Sequence, residues 1–221
     1  MRRLLPTPLD TISPGDAYTD PARARHDGRP WVGVCMVASV DGATVVGGRS
    51  GGLSSPADAA VLRTLRDLAD VVLVGAGTVR AERYGAPSRK GLRIGVVTSR
   101  GDDLDYDSAL FSSGAGFVVT AEDAPALPVP TVRAGRGRVD LAAAVSGLDA
   151  TFVNVEGGAT LNGALLEAGL VDELNLTISP QLAGGSAPRA IVGAHDVGMP
   201  LVLAHLLEED GFLFTRWLRR D

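Results

Sequence analysis

Residues 151–179 read TFVNVEGGATLNGALLEAGLVDELNLTIS and change periodicity twice. Thr151 to Val155 is apolar on both alternating faces, as a strand covered on both sides must be. Glu156-Gly157-Gly158 breaks the run, and Leu161, Ala164, Leu165 and Ala168 then fall on one helical face that Gly169 ends. From Leu174 to Ile178 the chain is extended again. A strand, a helix and a second strand in so short a span imply a crossover, hence an α/β sheet with parallel neighbours.

Working outward, the same alternation recurs. Trp31 to Ser39 (WVGVCMVAS) reads as a central strand, and Ser55-Pro56-Ala57-Asp58 opens a helix with a capping hydroxyl, a first-turn proline and a carboxylate at the positive end of the dipole. Val71 to Val74, Leu92 to Thr98, Gly116 to Thr120 and Thr131 to Ala134 read as short buried strands, and Leu141 to Val145 as a helix. Behind residue 174 no helical period remains, so Ile191-Val192, Leu201 to Leu207 and Phe212 to Leu218 are expected to close the sheet with antiparallel strands. Residues 1–30 carry prolines and charges without apolar periodicity and read as an N-terminal arm; residues 31–221 read as one domain.

Composition removes several function classes. The 221 residues are 45% hydrophobic, enough for a core, and 21 basic against 26 acidic side chains leave a net charge of −5, which lacks the positive field of nucleic-acid binders. One cysteine and three scattered histidines, His26, His195 and His205, offer neither a disulfide nor a metal-ligand spacing, so no metal is expected. No apolar stretch approaches the roughly 20 residues of a membrane helix, and a cytoplasmic protein is the simplest expectation. Neither a Gly-x-Ser-x-Gly elbow nor a Walker A loop occurs.

What remains is a set of turns at the carboxyl ends of buried strands, where open α/β sheets place their ligand crevice. Gly75, Gly77, Thr78 and Val79 follow one strand; Glu156, Gly157, Gly158, Ala159 and Thr160 follow another just before a helix. Bare glycines there let backbone N–H groups approach a pyrophosphate. Thr98, Ser99 and Arg100, at a third strand end, suit a ribose 2′-phosphate and so favour NADPH over NADH. Each turn alone reads more readily as plain chain reversal; their combination points to a dinucleotide. On the facing wall, Ser39, Asp41, Ser54 and Ser55 offer a carboxylate and hydroxyls for orienting a polar ring, although Asp41-Gly42 is also a strong turn former. Glu82 is readable as a surface charge or as a proton-handling group facing the crevice, and either Asp41 or Glu82 is expected to supply or relay the catalytic proton. Cys35 fits a small core residue better than a nucleophile, having no histidine or basic neighbour in sequence.

Four segments, MVASVDG (36–42), LRDLADVVLVGAGTVRAE (65–82), NVEGGATLNGALLEAGLVDELNLTISP (154–180) and the QLAGG after it, resemble the reductase domain of bacterial riboflavin biosynthesis, which is similar in fold to dihydrofolate reductase. The resemblance implies an NADPH-dependent, homodimeric reductase that opens the ribose of a ribosylaminopyrimidine 5′-phosphate by hydride transfer to a C=N bond. The 75–78, 98–100 and 156–160 turns would hold the coenzyme, and Ser39, Asp41, Ser55 and Glu82 would lie near the substrate. Cys35 stands where that family commonly has lysine, Gly52 where it has tryptophan, and Glu82-Arg83 where it has paired aspartates. These departures lie on the substrate side and leave open a pteridine such as dihydrofolate as substrate. A non-catalytic dinucleotide-binding module is the third reading.

Overall fold

The computed structural model describes residues 1–220. Its frame is a ten-stranded sheet in the order β1 (Arg2–Leu5), β9 (Leu201–Glu209), β10 (Phe212–Arg219), β8 (Glu173–Ser179), β2 (Trp31–Ser39), β7 (Phe152–Val155), β3 (Val71–Gly75), β4 (Arg93–Val97), β5 (Gly116–Thr120) and β6 (Thr131–Arg133). From β8 to β6 every neighbouring pair is parallel, whereas β8, β10, β9 and β1 pair antiparallel. The mixed, mostly parallel sheet with antiparallel C-terminal strands is the architecture expected from the periodicity.

Strand alternation sorts the core onto the two faces. Val71 and Leu73 of β3 pack with Val145 of α5 (Leu141–Ser146) and with Leu161 and Leu165 of α6 (Ala159–Glu167). Val72 and Val74, between them in sequence, pack with Ala76 and Val79 of α3 (Ala76–Glu82) and with Leu110 and Phe111 of α4 (Ala109–Ser112). A third cluster joins Tyr18 of α1 (Pro14–Tyr18) and Val61 and Leu65 of α2 (Pro56–Leu68) to Phe152, Leu207 and Phe214. Each fully buried Val, Leu or Phe side chain contributes ~1.5–3 kcal/mol, so the sheet is held from both sides.

Residues 1–30 differ from the arm read in the sequence. Strand β1 pairs with β9, Tyr18 is buried, and two arginines carry the segment into the sheet. Arg23 grips Glu173 through Nε–Oε2 (2.9 Å) and Nη2–Oε1 (2.6 Å), and Arg29 grips Asp172 through two 2.7 Å bonds. Asp172 also accepts the Val32 N–H (2.8 Å). The Asp172-Glu173 pair is therefore a structural clasp. Burial alone would raise the Glu173 carboxyl, but the hydrogen bonds and charges of Arg23 and Arg216 bring it down to about 2.

Two local expectations are corrected. Ile191-Val192 is not a strand but a loop laid over α6, where the Val192 N–H donates to the Ala159 carbonyl (3.1 Å) and the Val192 carbonyl oxygen would stand only 2.1 Å from a Cβ at Gly163. Gly75 to Thr78 is not a free turn: β3 runs directly into α3 through Gly75.

Candidate active site

The carboxyl ends of β3, β4 and β7 open onto a cleft of about 990 Å³. Gly75 caps α3 and Gly158 caps α6, and neither helix start receives a side-chain cap, unlike α1, α2 and α5, which Ser13, Ser55 and Asp140 cap; α4 is also uncapped. The first-turn amides of α3 and α6 consequently stay open toward the cleft, together with the positive ends of their dipoles. Space is tight at Gly157 and Gly158. The Gly75 N–H donates to the Gly157 carbonyl (2.7 Å); Gly157 has φ +75° and faces Met36 Sδ, which a Cβ would meet at 3.0 Å. A Cβ on Gly158 would lie 2.8 Å from Thr78 Oγ1.

Behind this wall lies a second cavity of about 260 Å³, lined by Cys35, Met36, Thr44, Ser50, Ser54, Asp58, Glu82, Tyr84 and Glu156 among others. The two cavities share Gly77, Thr78, Gly158 and Ala159. Three carboxylates border the smaller one. Glu82 Oε1 accepts the Ser50 N–H (2.7 Å), and Asp58 Oδ2 accepts the Ser54 hydroxyl (2.6 Å). Glu156 is locked by Arg66 in a two-pronged pair (2.7 and 2.6 Å), by the Tyr84 hydroxyl (2.6 Å) and by Asn154 Nδ2 (3.1 Å). Burial works against the Arg66 charge, yet its bonds to Glu156 raise its pKa further; burial and the Glu156 charge likewise push up the Tyr84 phenol, which stays a hydrogen-bond donor. Burial, reinforced by Asp58 and Glu156, pushes up the Cys35 thiol, so it is a poor nucleophile.

Of the residues singled out in the sequence, Gly75, Gly77, Thr78, Thr98, Ser99, Gly158, Ala159 and Thr160 line the large cleft, and Ser54, Glu82 and Glu156 line the small pocket beside Gly77, Thr78, Gly158 and Ala159. The others lie elsewhere. Val79 is buried against the face of the sheet that carries α3 and α4. Arg100 is exposed and sits 3.5 Å from Asp102. Gly157 forms the floor between Gly75 and Met36. Ser55 caps α2, and Ser39 accepts the Ala43 N–H (3.0 Å). Asp41 lines neither cavity: it accepts the Ser39 hydroxyl (2.5 Å) and the Ala183 and Gly184 amides (3.0 and 2.7 Å). Those amides and that hydroxyl lower its carboxyl to about 2, so it carries no proton near neutrality. Asp58, Arg66 and Tyr84 were missed, as were Arg136 and Arg138 on the cleft; only the Arg-Gly-Arg run of 136–138 gave a local sign.

Comparison with known proteins identifies the family of the chain. A 2,5-diamino-6-ribosylamino-4(3H)-pyrimidinone 5′-phosphate reductase of Methanothermobacter thermautotrophicus is 28% identical over 187 residues, covering 76% of this chain and 86% of that protein. The riboflavin biosynthesis protein RibD of Escherichia coli is 31% identical over 188 residues, covering 72% of this chain but 51% of its own length, so the chain spans about half of that relative. Among solved structures, a pyrimidine reductase-like protein of Corynebacterium diphtheriae superposes with a TM-score of 0.81 at 23% identity, over 95% of this chain and 100% of that one. Dihydrofolate reductase of Enterococcus faecalis superposes at 0.52 and 13% identity, over 86% of this chain and 97% of that one, a likeness of fold. The profile of the RibD C-terminal domain matches residues 30–208, and the chain belongs to that family.

Proposed function

We propose that the protein is an NADPH-dependent reductase acting on a C=N bond of a ribosylaminopyrimidine phosphate. The observation that carries this reading is the shared wall. A cleft with room for a dinucleotide and a smaller polar pocket meet at Gly77, Thr78, Gly158 and Ala159, so a ring in one cavity can touch a ring in the other. The uncapped starts of α3 and α6 and the absence of a Cβ at Gly158 suit a pyrophosphate, and Thr98 and Ser99 extend the cleft toward its adenosine end.

When bound, the reduced coenzyme supplies a hydride to the substrate carbon. The chain's own part is to position, to exclude water and to handle the proton. Glu82 is the proton-handling group: one oxygen is pinned by the Ser50 amide and the carboxylate borders the pocket, so it can relay a proton taken from solvent to the product nitrogen. Glu156, whose two oxygens already accept four hydrogen bonds from Arg66, Tyr84 and Asn154, holds the pocket wall in place. Asp41 holds the 183–184 loop.

One observation favours the pteridine as a second reading: Asp58, Glu82 and Glu156 border the small pocket, and its lining includes no lysine or arginine to meet a phosphate. Following NADPH oxidation with the ribosylaminopyrimidine phosphate and with dihydrofolate separates the two. Turnover of the first supports the main reading, turnover of the second alone supports the other, and coenzyme binding without turnover of either refutes both in favour of a non-catalytic module. A homodimer belongs to the same proposal, since β1 leaves a sheet edge with Leu4 and Leu5 exposed; sedimentation as a monomer at micromolar concentration would refute it.

A further inference from the structure

Two exposed cations line the large cleft without a direct bond to any side chain, although Arg136 acts on the Asp123 carboxylate and Arg138 on Glu167. Among the described residues neither arginine makes a hydrogen bond or an ion pair. The neighbouring arginines are committed: Arg80 pairs with Asp103, Arg100 lies 3.5 Å from Asp102, and Arg66 is bound to Glu156. Of the carboxylates on the same lining, Asp140 caps α5 through the Ala143 N–H (3.0 Å), and Glu167 accepts the His195 N–H (2.9 Å).

The loop that carries the two guanidinium groups is built to hold its shape. Gly135 has φ +78°, and a Cβ there would meet the Arg138 carbonyl oxygen at 2.6 Å and the Asp140 nitrogen at 2.7 Å. The Gly135 carbonyl accepts the Glu122 N–H (2.8 Å), the Gly137 N–H donates to Asp123 Oδ1 (2.8 Å), and the Asp140 N–H donates to the Ala134 carbonyl (3.0 Å). A loop anchored at 134, 135, 137 and 140 presents 136 and 138 from a fixed backbone, and Thr98 and Ser99 lie on the same cleft lining. Two free guanidinium groups and two hydroxyls match a dianionic phosphomonoester, which arginine meets with paired, charge-assisted hydrogen bonds.

We infer that Arg136 and Arg138, and not Arg100, select the coenzyme by holding the 2′-phosphate that distinguishes NADPH from NADH. The inference rests on the proposed coenzyme reading and sharpens it. Its test is the dissociation constants of both coenzymes and of 2′,5′-ADP, by calorimetry at fixed ionic strength, for the wild type, Arg136→Ala/Arg138→Ala and Arg100→Ala. The double variant is expected to bind NADPH and 2′,5′-ADP about 10- to 100-fold more weakly, the worth of hydrogen bonds to a charged group, with NADH unchanged. Arg100→Ala should stay within about threefold of wild type, and Arg136→Lys/Arg138→Lys should recover part of the loss. An unchanged NADPH-to-NADH ratio in the double variant, or its collapse in Arg100→Ala instead, overturns the inference while leaving a dinucleotide site in place. Wild type that binds neither coenzyme overturns the inference and the reading beneath it together.

Discussion

The parallel half of the sheet and its antiparallel tail spend polar groups in opposite ways. Around β8 and β10 the charged groups pair with one another, although Asn175 Oδ1, His205 Nε2 and Arg216 Nε are buried there without a partner: Glu173 receives Arg23, Arg216 and the Trp31 indole, and Asp172 receives Arg29 and the Val32 amide. Around the ends of β3, β4 and β7 polar groups are left open, with two uncapped helix starts, two unpaired arginines and a Glu82 whose structural partner is a single amide. The first arrangement fastens the N-terminal segment to the sheet; the second leaves donors and acceptors for something not encoded in the chain. How far a carboxylate is already bonded thus separates Asp41 from Glu82 where residue type does not, since both are acidic and only Glu82 faces a pocket.

Changes on either side should fail in different ways. Glu82→Gln is expected to lower kcat by ~10²–10⁴, the usual range for a lost acid–base group, with coenzyme affinity unchanged; steady-state kinetics with calorimetry checks it. Glu173→Gln should do the reverse, costing ~3–5 kcal/mol of stability in urea titration, because buried Arg23 loses its counter-charge and Arg216 keeps only Asp20, while the kcat of the remaining folded protein is kept. Gly158→Ala should weaken NADPH binding by ~1–3 kcal/mol, the usual cost of overpacking, as the new methyl displaces Thr78 from the shared wall. Asp41→Asn should leave kcat within about twofold of wild type, since Asp41 lines neither cavity, although the amide oxygen can keep only one of the two N–H groups of residues 183 and 184.

The tail also predicts a pH dependence. His205 is buried and faces Arg216, and burial followed by that charge lowers its pKa from 6.5 to about 4. The unfolded chain therefore takes up this proton first, and stability should decline as pH falls from 6.5 toward 4. Glu173, lowered from 4.5 to about 2, adds a second loss between those values. Urea midpoints measured against pH should show both windows, and His205→Gln should erase only the upper one.

Much of the fold was legible because central strands such as Trp31 to Ser39 and Val71 to Val74 are apolar on both faces, a pattern few other structures share. Strand β1 was not, because four residues between charges and prolines have no local signature and their partner strand lies some two hundred positions away. The glycine-bearing strand ends were readable for the same local reason, since a missing Cβ shows in the sequence. The pocket's polar network was not readable: Arg66 and Tyr84 meet Glu156 across 90 and 72 residues, and Asp58 looks in sequence only like a helix-start acid. Asp41 misled for the converse reason, as the amides that occupy it come from 142 and 143 residues away.

A crystal structure of the protein with NADPH bound tests the central claim most directly. The account predicts the pyrophosphate against the open starts of α3 and α6, with the nicotinamide ring on the wall of Gly77, Thr78, Gly158 and Ala159 facing Glu82. A dinucleotide bound elsewhere, or with its nicotinamide directed away from the smaller cavity, would contradict it.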